Sequence, residues 1–173
     1  IFTALASGGA IVASQYVGSE DRKNGNLAAS QLVLLILLIS VILTAGIFVF
    51  GENIFNLIFG RVETSVFDAG MTYLYISAMS FPFLALYNGC AGLYRSMGKT
   101  KAIMNISIIM NIINVVGNYI GVFILHAGVA GVAYPSLISR IFAAVVMMVL
   151  SMKKDQMIYV EIKHVLSWNW NMV

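Results

Sequence analysis

The chain has 173 residues, 60% of them apolar and 10% charged, with a mean hydropathy of +0.91. Soluble domains carry about 25% charged residues, so most soluble folds are excluded. The net charge of +3 is scattered through turns and does not form the basic stripe of a nucleic-acid surface.

The elements follow in chain order. Ile1 to Gly18 is apolar, lacks a basic leader and a small-residue cleavage site, and reads as the end of a truncated helix rather than a signal peptide. Asn26 to Phe50 is the second span, uncharged from Gln31 onward, and Glu52 to Gly60 is expected to be a short amphipathic piece at the interface. Phe67 to Tyr94, with Pro82 bending it, Ala102 to Leu125, and Val129 to Met152 complete five spans. The fold class expected is an all-α integral membrane protein, a polytopic helix bundle. The start at Ile1 inside an apolar run and the polar end Ser167 to Val173 read as a piece of a longer protein.

Basic residues sort by turn. Arg22 and Lys23 follow the first span, Arg95, Lys99 and Lys101 the third, and Lys153, Lys154 and Lys163 the fifth, whereas Arg61 alone follows the second and no basic residue follows the fourth. This bias puts the turns after spans one, three and five in the cytoplasm.

Polar residues inside the spans are the functional signal. Ser107, Asn111, Asn114 and Asn118 are spaced by 4, 3 and 4 residues, which places them in a helical strip roughly 60° wide. Span three carries Tyr73, Ser77, Ser80, Asn88 and Arg95, span one Thr3, Ser7 and Ser14, and span five Ser136 and Arg140. Packing accounts for single Ser and Thr residues, and Gly117 with Gly121 forms a small-residue pair suited to close helix approach. Three amides in one strip need polar partners that apolar neighbours do not offer, which points to a shared polar cavity. Arg140 has no acidic residue inside a span to pair with, so it is either a structural donor or a site residue. Span two, with only Ser40 and Thr44 among apolar residues, is expected to be the most lipid-exposed.

Neither a metal centre nor a disulfide is expected, because Cys90 is the single cysteine and His126 and His164 lie far apart. An intramembrane enzyme is disfavoured, since no Ser–His pair, Asp pair or zinc motif lies inside a span.

Four strings then carry a likeness: ASQYVGSEDRK from Ala13, GLYRSMGKTK from Gly92, NIINVVGNYIGVF from Asn111 and GVAGVAYPSLISR from Gly128. The chain resembles the multidrug and toxic compound extrusion (MATE) family of secondary transporters. The resemblance implies helices two to six of a six-helix N-terminal lobe over residues 1–152, with residues 153–173 starting a cytoplasmic connection to a second lobe. It implies that the first helix and the C-terminal lobe are further parts of the same chain. It also implies a multi-pass protein of the inner (cytoplasmic) membrane that exports organic, often cationic, drugs or metabolites by alternating access. No cofactor beyond a coupling ion, Na⁺ or H⁺, is implied. Asn114 matches an asparagine of first-lobe cation or proton sites, Ser136 a position often threonine, and Asn88 a cavity-facing asparagine. Asn118 stands where many prokaryotic members have aspartate, and an amide takes up no proton.

With Asn111 and Arg140, these residues form the candidate substrate and cation cavity. Two other readings stay open. A lipid-linked oligosaccharide or peptidoglycan-precursor flippase needs a more basic cavity than Arg140 alone supplies, and a non-transporting scaffold subunit needs no aligned polar strip.

Overall fold

The computed structural model describes residues 2–60, 62–154 and 156–160. Six α-helices follow one another: α1 (Phe2–Gly18), α2 (Arg22–Phe59), α3 (Thr64–Met79), α4 (Phe81–Ser96), α5 (Thr100–Tyr119) and α6 (Ala130–Ser151). A π-helical turn, Ile120–Ile124, prolongs α5. The helix α4 sits centrally, packing on α1, α2 and α6, while α5 packs chiefly on α6.

Helix α2 opens on a side-chain cap, because Asp21 accepts from the Asn24 N–H at 3.2 Å and from its amide group at 2.7 Å. Those bonds hold the Asp21 carboxyl below its ordinary range. The cap is therefore present above the ordinary carboxylate range and is lost as pH falls through the lowered value. The expected interfacial piece after Phe50 is instead the last part of α2, which runs unbroken for 38 residues. Gly51 is buried there, a Cβ on it lying 3.4 Å from Tyr75. A lone glycine costs a helix only about 1 kcal/mol, and the contact with α3 outweighs it.

The expected third span is two helices bent by 41° at Ser80. Pro82 has no N–H to give to the Ala78 carbonyl four residues back. Thr44 of α2 compensates, its hydroxyl lying 3.1 Å from Ala78 O and 2.8 Å from Ser40 O. Helix α2 also buries one face through Ala29, Val33, Ile36 and Ser40. The span with the fewest buried residues among the described ones is α5, with Ile108, Ile112, Val115 and Val116 on its open side.

Helices α5 and α6 touch backbone to backbone. A Cβ on Gly121 would lie 2.1 Å from the Gly131 carbonyl oxygen, and one on Gly117 2.6 Å from Pro135. Gly131 O is the carbonyl that Pro135, inside α6, cannot bond.

At the end holding the turns after α1, α4 and α6, residues 156–160 fold back onto the bundle. Arg22 donates to the carbonyls of Met157 and Gln156 at 3.2 and 3.1 Å, Asn26 accepts from Tyr159 N–H at 2.9 Å, and Lys99 bonds Gln156. Ile158 and Val160 are buried among Ala13, Ala29 and Leu93. The tail Lys163 to Val173 lies outside the described residues.

Gly121→Ala should destabilise the full-length protein by about 1–3 kcal/mol, the usual cost of overpacking, whereas Gly46→Ala, which faces open space, should not. Thermal unfolding in detergent checks this, and equal midpoints for the two variants would contradict the close contact.

Candidate functional site

The glycine contact brings the polar side chains of α5 within reach of α6. Asn114 Nδ2 donates to Ser136 Oγ at 2.9 Å, and Ser136 Oγ donates to the Val132 carbonyl at 3.1 Å. Asn118 Nδ2 donates to Asn114 Oδ1 at 3.2 Å, so the three side chains form one line between the helices. Asn118 Oδ1 is buried without a hydrogen-bond partner among the described residues. It stands just before the π turn, a local widening frequent at functional sites.

One turn beyond Ser136 on the same face, Arg140 donates to Ser80 Oγ at the break between α3 and α4. Ser80 is 1% exposed and donates to the Ser77 carbonyl at 2.6 Å. The polar line of α5 and α6 thus continues to the bend of the third span.

The remaining expected residues fall elsewhere. Asn111 is exposed on α5 in a shallow groove with Ile108, Ile112 and Val115, apart from the Asn114 line. Asn88 donates to Leu84 O at 2.7 Å within α4 and joins no other site residue. Ser7 and Ser14 likewise bond carbonyls of their own helix at 2.8 and 2.7 Å. Ser80 and Thr44 were not singled out as partners from the sequence. The signal for Thr44 was the proline four residues after Ala78, whose unmet carbonyl calls for a donor.

Chemically, the line offers neutral amide and hydroxyl oxygens, ligands suited to a hard monovalent cation but holding it weakly without a carboxylate. Among the described residues no three His, Cys, Asp or Glu side chains gather for a metal.

The sequence pattern of the MatE family matches residues 1–120. The chain belongs to the MatE family. MatE kinship extends to YisQ, an uncharacterized transporter of Bacillus subtilis (strain 168), 29% identical over 161 residues that make up 91% of this chain and 35% of YisQ. The protein DETOXIFICATION 43 of Arabidopsis thaliana is 31% identical over 86 residues, half of this chain and 16% of that protein. Among solved structures, an inward-facing multidrug resistance MATE transporter superposes with a TM-score of 0.89 at 17% identity, and an outward-facing one with 0.88 at 18%. Each match covers 99% of this chain and 38% of the other. The chain therefore has the MATE transporter fold and spans little more than a third of such transporters. It comes from a family of multi-pass membrane transporters, not enzymes.

Ser136→Ala removes the acceptor of the Asn114 amide and should cost about 1 kcal/mol, while Ser136→Thr keeps the hydroxyl and should cost less than half of that. Chemical denaturation of the full-length protein compares them, and equal losses would contradict the Asn114–Ser136 bond.

Proposed function

We propose that this chain is most of one lobe of a secondary active transporter that exchanges Na⁺ or H⁺ for organic drugs or metabolites, cationic ones among them. The observation that carries this reading is the Asn118–Asn114–Ser136 line, held between α5 and α6 and ending in a buried oxygen without a partner among the described residues. Polar side chains at such depth are expensive and mark ion or substrate pathways.

In this reading the Asn114–Asn118 oxygens take part in binding the coupling ion. A proton is the weaker candidate at this line, because neither amide titrates near neutral pH. Proton coupling would then rest on carboxylates of the first helix or the second lobe.

The family relationship supports the rest. The fold of this chain matches inward-facing and outward-facing relatives about equally well, at 0.89 and 0.88, which fits a lobe that moves as one body while access alternates. A first helix and a second lobe complete the cavity. The basic turns at one end of the bundle, around Arg22, Lys99 and Lys153, face the cytoplasm of a cell whose inner membrane holds the protein.

The test is solute movement by the full-length transporter in proteoliposomes under an imposed Na⁺ or H⁺ gradient. One gradient should raise the rate several-fold, and Asn114→Leu should abolish that rise without lowering the amount of folded protein. Movement indifferent to both gradients would sink the exchange mechanism.

A further inference from the structure

Residues 156–160 follow α6 as irregular chain, and an irregular segment that is packed away from water needs partners for its backbone N–H and C=O groups. The first turns of α2 supply them. Arg22 donates to the carbonyls of Met157 and Gln156 at 3.2 and 3.1 Å, and Asn26, itself buried, accepts from the Tyr159 N–H at 2.9 Å. Arg22, Gly25 and Asn26 stand three and four residues apart and share one face of the helix. Gly25 leaves a seat for Ile158 between the two polar side chains, since a Cβ there would lie 2.8 Å from Ile158 Cδ1 and 3.0 Å from its Cγ1. One face of α2 thus fits this segment in both shape and hydrogen bonding.

The segment is tied to other helix ends as well. Val160 N–H donates to the Ser151 carbonyl at 2.8 Å, one of the carbonyls that the end of α6 leaves without a partner inside the helix. Lys99, at the start of α5, donates to the Gln156 side-chain oxygen. Ile158 and Val160, each 2% exposed, join one core with Ala13 of α1, Ala29 of α2 and Leu93 of α4. Five residues therefore gather the ends of α1, α2, α4, α5 and α6 at the basic end of the bundle.

We propose that residues 156–160 are a clasp, seated on the Arg22–Gly25–Asn26 face, that stays shut while access alternates. The clasp keeps the five helix ends from parting, so the segment moves with this lobe and is no part of the joint to a second one. This rests on the transporter reading and adds to it a fixed point at the basic end.

The experiment uses the full-length transporter in proteoliposomes. Ile158→Cys should react with a maleimide about tenfold more slowly than Lys154→Cys, an exposed position shortly before it, because a buried thiol reacts only through local opening. Arg22→Ala with Asn26→Ala in the same protein should close most of that gap, while the buried Cys90 stays unlabelled and shows that the bundle is folded. If Cys90 reacts as well, the bundle has opened and a second variant decides. In that variant, Gly25→Cys with Ile158→Cys, mild oxidation should form a disulfide, the two side chains being in direct contact. Gradient-driven uptake by the fully oxidised protein should match uptake after reduction. Uptake that falls on oxidation and returns on reduction would overturn the proposal, because the segment would then have to leave α2 in each cycle. Labelling of Ile158→Cys as fast as Lys154→Cys, a rate unmoved by Arg22→Ala with Asn26→Ala, or a disulfide that does not form would overturn it too. If the reduced protein moves no solute under either gradient, the transporter reading alone fails, and slow labelling with a readily formed disulfide still supports the closed clasp.

Discussion

The backbone contact between Gly121 and Gly131 is the constraint from which the rest of the site follows. Pro135 cannot donate to the Gly131 carbonyl, which leaves that oxygen outside the hydrogen-bond ladder of α6. A chain in lipid has no water to satisfy it. The oxygen lies instead against a helix whose residue there has no side chain, close enough that a Cβ on Gly121 would stand 2.1 Å away. Only at this separation does Asn114 reach Ser136, while Asn118 donates to Asn114 one turn away on the same helix.

The same logic recurs at the bent span. Pro82 frees the Ala78 carbonyl, and Thr44 supplies a hydroxyl from a neighbouring helix. Ser80, at the resulting break, offers the oxygen that Arg140 uses. Two prolines thus create two unmet carbonyls, and the polar residues that answer them or lie beside them make up much of the membrane-embedded polar network. The arrangement links structural necessity to function, because a helix whose ladder is interrupted can present polar groups where an intact one presents only side chains.

Much of this was legible in the sequence. The five spans, the basic turns and the Gly117–Gly121 pair follow from composition and spacing alone; the structure keeps spans one, four and five within a few residues of their expected ends, whereas α2 runs on to Phe59 and the third span breaks at Ser80. The resemblance to the MATE family agrees with the pattern matched over residues 1–120. What could not be read was which way each polar residue faces. Spacing put Asn111 in one strip with Asn114 and Asn118, yet a strip about 60° wide on a helix that packs chiefly against one neighbour splits at its edge, leaving Asn111 exposed. Arg140 was visible as an unpaired charge, but its partner Ser80 is sixty residues distant in the chain. The unbroken α2 was missed because Gly51 and Glu52 resemble a helix end when the covering residues of α3 are out of view.

If the α5–α6 line works as a unit, its members must be energetically coupled. A double-mutant cycle on Asn114→Ala and Ser136→Ala, read as gradient-driven solute uptake by the full-length transporter, tests that claim most directly. The account predicts that the double variant is no more impaired than the worse single variant, a coupling of roughly 0.5–1.7 kcal/mol for a hydrogen bond between membrane helices. Losses that simply add would contradict it.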